Sequence, residues 1–325
     1  MRALRLIAQR LLAALPTLAL VSLGAFLLLE SAPGDAADAY LSQTGGDAGF
    51  AAELRQRFGL EGSAFDRLLS FYAGLLEGNL GTSLVFSRPV LSVIIERLPT
   101  TLLLMASAVS FAALVGSVLG LLAGARPGGW RDHAIIVGTL GLLAMPNFWL
   151  ALVLVLAFGV RLAWLPTSGL QSVGAPLTGL AAVADVAWHL VLPTIALGAG
   201  YLALYTRTLR AGMVATWRAD HVRAARARGL PERRVVWRAV ARPALLPVVV
   251  LLGQQIGTLF GGSVVTETVF GIPGLGRLTY EAVAGRDTLL LVGVVMAGTV
   301  VVVLANLLVD LILVRLDPRI GTARE

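Results

Sequence analysis

Cysteine is absent from the 325-residue chain, which excludes disulfides, thiolate nucleophiles and sulfur-ligated metals. Lysine is absent too, so all 26 basic residues are arginine. A Walker-type loop needs a lysine on the phosphates, and pyridoxal chemistry needs one for its Schiff base. Any nucleotide energy must therefore reach this chain through another subunit. Histidine is scarce: His133, His189 and His221 lie far apart, without the His-Glu-x-x-His spacing of a zinc protease. No metal site and no catalytic constellation follow from such a set. Charged residues make up only 14%, against about 25% in soluble domains.

What fills the chain instead is apolar: 57% hydrophobic residues and a mean hydropathy of +0.83. That composition predicts an integral membrane protein. Six stretches are long enough to cross a bilayer, which takes about 20 apolar residues. They are Leu11–Leu29, Leu98–Ala125, Ala134–Val160, Val186–Thr206, Pro243–Thr266 and Thr288–Val309. The first is too long for a signal-peptide core and reads as an uncleaved anchor, although Ala37-Asp38-Ala39 resembles a cleavage site. Leu162–Ala184, uncharged but rich in glycine and proline, reads as an outer loop. Pro146, Pro193 and Pro247 are candidate kinks.

With both termini inside, most arginines fall on the inner face. Arg2, Arg5, Arg10, Arg126, Arg131 and the set from Arg207 to Arg242 are among them. This is the positive-inside asymmetry, and it accounts for the net charge of +7 through the membrane and its lipid, without nucleic acid.

Three regions follow: residues 1–30 with the first helix, an extracytoplasmic segment 31–97, and a core of five helices over 98–325. In the outer segment, Glu53–Phe58 and Phe65–Leu76 read as short amphipathic helices, ended by Gly78-Asn79-Leu80-Gly81. They suit helices that lie on the membrane face or cover the outer mouth of a channel, and a passive lid without ligand contact is an equal reading. The inner segment 207–242 contains Asp220-His221-Val222-Arg223-Ala224-Ala225-Arg226-Ala227-Arg228-Gly229-Leu230. Alanine and arginine favour a helix there, Gly229 suits its C-terminal turn, and Pro231-Glu232 starts the next helix. Ala224 and Ala227, three apart, share a face of small residues. On composition alone a basic loop held at anionic headgroups is the plainer and favoured reading.

Two alanines followed by a glycine in this spacing resemble the EAA loop of ABC-importer permeases. The string from Asp220 to Leu230 is closer still to the Asp-Tyr-Ile-Arg-Thr-Ala-Arg-Ala-Lys-Gly-Leu of the peptide/nickel permease family, with His221 in place of tyrosine. Further blocks of that family occur in order. They include Pro33-Gly34-Asp35, Gly78 to Ser83, Arg97 to Leu102, Met145-Pro146-Asn147-Phe148-Trp149, His189 to Pro193, Phe270 to Arg277 and Asp317 to Ile320. The resemblance implies an all-α, six-helix type I (MetI-like) permease of a bacterial inner membrane, with both termini cytoplasmic. It implies half of a translocation pathway for di- or oligopeptides, with nickel or a metal chelate as the alternative cargo. The implied partners are a second permease, two ATP-binding subunits holding ATP and magnesium, and an extracytoplasmic binding protein. This chain itself is expected to bind no cofactor and to catalyse nothing. Asp220, His221, Ala224, Ala225, Arg226 and Gly229 are the residues implied for ATPase coupling. Glu267 and Asn306, at the ends of the fifth and sixth spans, are candidate pathway or gate residues, with interfacial capping the plainer reading for Glu267. An intramembrane enzyme or a stand-alone secondary transporter would need paired catalytic groups or inverted repeats, and the sequence offers neither.

Overall fold

Long apolar runs without a β-alternating period leave helix as the way to satisfy backbone polar groups in lipid. The computed structural model follows that rule. It describes residues 2–31, 37, 41, 48–57, 62–174 and 177–316. Among them are helices and one isolated bridge, Thr82 to Pro89, with no strand. The first four helices are α1 (Arg2–Glu30), α2 (Ala48–Arg57), α3 (Ala64–Leu76) and α4 (Val90–Ala125). Then come α5 (Trp130–Ala144), α6 (Asn147–Leu154, running on as a π turn, Val155–Arg161) and α7 (Gly179–Thr216). The last five are α8 (Asp220–Ala227), α9 (Glu232–Gln254), α10 (Ile256–Val269), α11 (Leu275–Ala284) and α12 (Thr288–Leu316).

Among the described residues five helices, α1, α4, α7, α9 and α12, are long and apolar enough to cross a membrane, and α5 with α6 makes a sixth if the pair, bent by 102°, is one span. The bend corrects the straight third span. Met145, before Pro146, is driven into extended backbone (φ −83°, ψ 129°), and the helix restarts at Asn147. The predicted fifth span, Pro243–Thr266, is also corrected. Its N-terminal half belongs to α9, which starts at Glu232, and the run is interrupted at Gln255 before α10. Pro193, by contrast, sits within an unbroken α7.

The chain divides into two compact units, one of Met1–Leu102 with Pro273–Leu304 and one of Leu103–Ile272 with Ala305–Glu325. In the first, the apolar face of α3 packs Phe71 against Ala25 and Phe26 of α1 and Val292 of α12. The Tyr72 hydroxyl meets Ser22 Oγ at 2.8 Å. The N-terminus of α3 is closed by a capping box between Ser63 and Asp66. That hydrogen bond from Ser63 holds the Asp66 carboxyl below the ordinary carboxylate range. At the other end Gly78 takes a positive φ of 77° and closes the helix. Thr101 Oγ1 accepts from the Leu275 amide at 2.7 Å, a cap that Gly274 has no side chain to supply.

Asp287 binds the loop after α3 to α12. Its Oδ2 accepts from Ser83 Oγ at 2.6 Å and from the Val85 amide at 3.2 Å, while Oδ1 accepts from the Leu290 amide at 3.0 Å. The carboxylate therefore caps a helix start and holds a loop some two hundred residues away in the chain. Asp287→Ala is expected to lower stability by about 2–3 kcal/mol, since a cap and a buried acceptor are lost together. Ser83→Ala, which removes the donor to Asp287 and the acceptor of the Phe86 amide, is expected to cost less, about 1–2 kcal/mol. Melting of the purified protein in detergent checks the order of the two.

In the second unit α4 and α7 touch along glycines. Gly116, Gly120 and Gly124 stand one turn apart on α4, facing Leu202, Thr206, Leu209 and Met213 of α7. Thr206 Oγ1 donates to the Gly116 carbonyl at 3.1 Å. Larger side chains here would part the helices. A second cluster, with Leu197, Leu259, Phe270 and Ile272 at its centre, packs α7 on α10. The Gly169 amide ties the loop before α7 to the Phe270 carbonyl at 2.8 Å.

Candidate functional site

The segment between α7 and α9 is built from local rules. Ala219 is extended (φ −74°, ψ 147°) and starts α8, with Asp220 in the first turn, favoured by the partial positive charge of a helix start. Val222 and Ala225 are buried in a cluster with Leu209, Met213, Val235, Val240 and Ala244. At the C-terminal end Gly229 takes a φ of 73°. Its amide bonds the Arg226 carbonyl (2.9 Å), and the Leu230 amide bonds Ala225 (3.4 Å). This is a Schellman closure, which needs a residue that tolerates positive φ. Pro231 then opens α9.

Burial divides the proposed coupling residues. Asp220, Ala224 and Ala227 share the outer face of α8, with Arg223 and Arg228 beside them, all exposed. Asp220 and Arg223 pair with each other at 91% and 75% side-chain exposure, so that bond contributes little to stability. Ala225 points the other way, and its small side chain brings α8 close to its own chain rather than to a partner. Gly229 shapes the turn.

His221 and Arg226 are engaged within the chain. His221 Nε2 lies 2.9 Å from the Ala239 carbonyl. The imidazole donates to that carbonyl within a π turn, Val235–Ala241, just before Pro243, which has no amide to give. Arg226 donates to Glu232 at 2.6 Å and lies over the Trp217 ring at 4.8 Å. The Glu232 carboxylate holds the Arg226 guanidinium above its ordinary pKa.

The two residues assigned to a pathway or gate are placed separately. Glu267 is fully buried (0% exposed) near the end of α10, not solvated at an interface as a simple cap would be. Asn306 is half-buried on α12.

Sequence reasoning missed three features. Trp217 donates from Nε1 to the Gly124 carbonyl at 2.8 Å. Asp132, at the start of α5, is held by Arg210 of α7. The glycine row at 116, 120 and 124 carried its own signal in the four-residue spacing.

The sequence matches the family described as binding-protein-dependent transport system inner membrane component over residues 116–322. The chain belongs to this family. Relatives extend the match to nearly the whole length. The di/tripeptide transport system permease protein DppB of Pseudomonas aeruginosa is 35% identical over 99% of this chain and 100% of the relative. The oligopeptide transport system permease protein AppB of Bacillus subtilis is 33% identical, covering 97% of this chain and 98% of its own. The glutathione transport system permease protein GsiC of Escherichia coli K12 is 33% identical over 98% of this chain and 99% of the relative. An inner membrane component of this family is a permease subunit of an ABC importer, and the matched region takes in α5 to α12, with α8 and its turn near its middle.

Proposed function

We propose that this permease passes short peptides, delivered by an extracytoplasmic binding protein, across a bacterial inner membrane with both termini cytoplasmic. A second permease completes the pathway, and two ATP-binding subunits bind ATP with magnesium and hydrolyse it. Peptide cargo is favoured over nickel or a metal chelate by the named relatives, which are peptide and glutathione permeases. The chain brings no catalytic group of its own. Glu267 and Asn306 stay as candidates for the pathway.

The observation that carries the coupling role is the outer face of α8. Asp220, Ala224 and Ala227 form a low surface flanked by Arg223 and Arg228, a shape that admits close backbone approach with charge at the rim. Ala225 and Gly229 hold that face in place, and His221 and Arg226 anchor it. ATP-driven closure of the ATP-binding subunits would then displace α8 and switch the helices between inward-open and outward-open states.

The test is copurification of the tagged chain with its genomic neighbours. Ala224→Arg places a large cation in the middle of the exposed face without touching the buried one. It is expected to retain the second permease and to lose roughly thirtyfold in ATP-binding subunits, the scale of a central interface residue. Wild-type recovery of those subunits in the variant would remove α8 as the docking element. Binding-protein-dependent uptake of a labelled tripeptide, unaffected by excess nickel chelate, would establish the cargo; competition by the chelate would reverse it.

A further inference from the structure

Trp217 stands one residue past the end of α7 and three before the start of α8. Its indole N–H is aimed across to α4. The acceptor, the Gly124 carbonyl, lies in the last turn of that helix, where carbonyls have no amide partner four residues on. The bond therefore satisfies an orphan group and fastens the start of the α8 segment to the main chain of α4. Gly124 lacks a side chain and sits against Met213 of α7, which lets the indole come this close.

The other face of the ring is occupied from α8. Arg226, on the inner flank of that helix, holds its guanidinium carbon 4.8 Å from the ring centre, within cation–π range. The same guanidinium donates to Glu232 at the start of α9. His221 adds a bond from α8 to Ala239, further along α9. A tilt of α8 thus acts on α9 through two side chains of α8 itself. It acts on α4 through the indole, which α8 grips by Arg226.

We propose that Trp217 is the positioning residue that carries displacement of α8 to the end of α4, so that α4 and α9 move together when the ATP-binding subunits close. The inference rests on α8 being the docking helix. It predicts a division between docking and transmission. The outer face of α8 binds the ATP-binding subunit, and the indole passes the motion on without touching that subunit.

Trp217→Phe keeps a ring beneath Arg226 and removes the N–H. The full complex, reconstituted in proteoliposomes with the binding protein, is assayed for ATP hydrolysis and for uptake of a labelled tripeptide that the binding protein retains. The expected result is normal recovery of all subunits, hydrolysis within about twofold of wild type, and up to about tenfold fewer peptides moved per ATP, the scale of one hydrogen bond. A residue that merely supported the fold would change recovery and melting and leave that ratio alone. An unchanged ratio overturns the proposal. So does loss of the ATP-binding subunits from a well-folded chain, which would make Trp217 part of the docking surface. Should the variant not assemble, Arg226→Met read against Glu232→Gln decides by the same ratio, since both weaken the bond from α8 to Glu232 and only Arg226→Met frees the indole from α8. A further fall of about threefold in Arg226→Met beyond Glu232→Gln supports transmission, and no further fall ends it. Failure of the docking reading shows separately, as Ala224→Arg keeping its ATP-binding subunits.

Discussion

Gly120→Val is expected to prevent a stable permease from accumulating. A Cβ built at Gly120 lies 2.8 Å from the Thr206 carbonyl oxygen and 2.9 Å from Leu209 Cβ, so it meets backbone and the root of a side chain, neither of which can swing away. Overpacking a tight contact costs about 1–3 kcal/mol, and a β-branched residue belongs at the upper end. Against it stands the ordinary gain from replacing a helical glycine, about 0.5–1 kcal/mol. The clash wins. Alanine orders the row more finely. At Gly116 a Cβ would lie 2.7 Å from the Leu202 carbonyl, again backbone, whereas at Gly124 it meets only the Met213 side chain, Sδ at 2.7 Å, which can withdraw, and Cβ at 2.9 Å, with no backbone among its nearest atoms. Gly116→Ala and Gly120→Ala should each lower the apparent melting temperature of the detergent-purified chain, Gly124→Ala less. Gly138→Ala, where nothing lies within 4 Å, should be neutral or slightly stabilising. Equal melting across the four would show that α4 and α7 are not held by close approach.

That row also shows which parts of the structure were legible in advance. Hydropathy located the spans because lipid imposes one requirement on every membrane helix, and a run of about 20 apolar residues satisfies it regardless of neighbours. The turn at Gly229 and the helix before it were legible for a similar reason, since a Schellman closure is a local device with a local signal. The helix ends were not. Thr288–Val309 continues to Leu316 and Val186–Thr206 grows to Gly179–Thr216, because hydropathy stops at the lipid while a helix goes on to its first competing turn. Pro146 and Pro193 make the limit plain. Both are prolines in apolar runs, yet one breaks a helix by 102° and the other does not. The neighbour decides: Met145 goes extended before Pro146, while the backbone before Pro193 stays helical, with Leu190, Leu192 and Pro193 buried.

The site was legible as a string and illegible as faces. Residue types from Asp220 to Leu230 suggested a docking helix, but only burial separates Ala224, which faces out, from Ala225, which faces in. His221 read as a coupling residue standing where the family pattern has a tyrosine. Its partner is the Ala239 carbonyl, eighteen positions on, and no local pattern joins those two residues. Trp217 was silent for the same reason: its acceptor lies 93 residues earlier in the chain.

Arg210→Met is expected to destabilise the protein more than Asp132→Ala, and the double variant less than Arg210→Met alone. Asp132 is 1% exposed and Arg210 is 32% exposed. The carboxylate accepts from Arg210 Nη2 at 2.7 Å and from the Gly128 amide at 2.8 Å, with Arg210 Nε as a third donor. Removing one partner of a buried pair costs about 3–5 kcal/mol, because the other charge is left without a counterion. The two sides are not equivalent. Without Asp132 the guanidinium can turn toward its exposed side, so the loss should fall near or below 3 kcal/mol. Without Arg210 the carboxylate has nowhere to turn. The Gly128 amide and the start of α5 still favour it, but they replace neither the charge nor two hydrogen bonds. Truncating both leaves an apolar junction between α5 and α7, and such replacements are often close to neutral. Gly128 then keeps an amide without its acceptor, about 1–3 kcal/mol, which bounds the remaining loss from below. Apparent melting temperatures of the four forms give the coupling. Additive losses would mean that water or lipid headgroups screen the pair, and the junction would then rest on its apolar contacts alone.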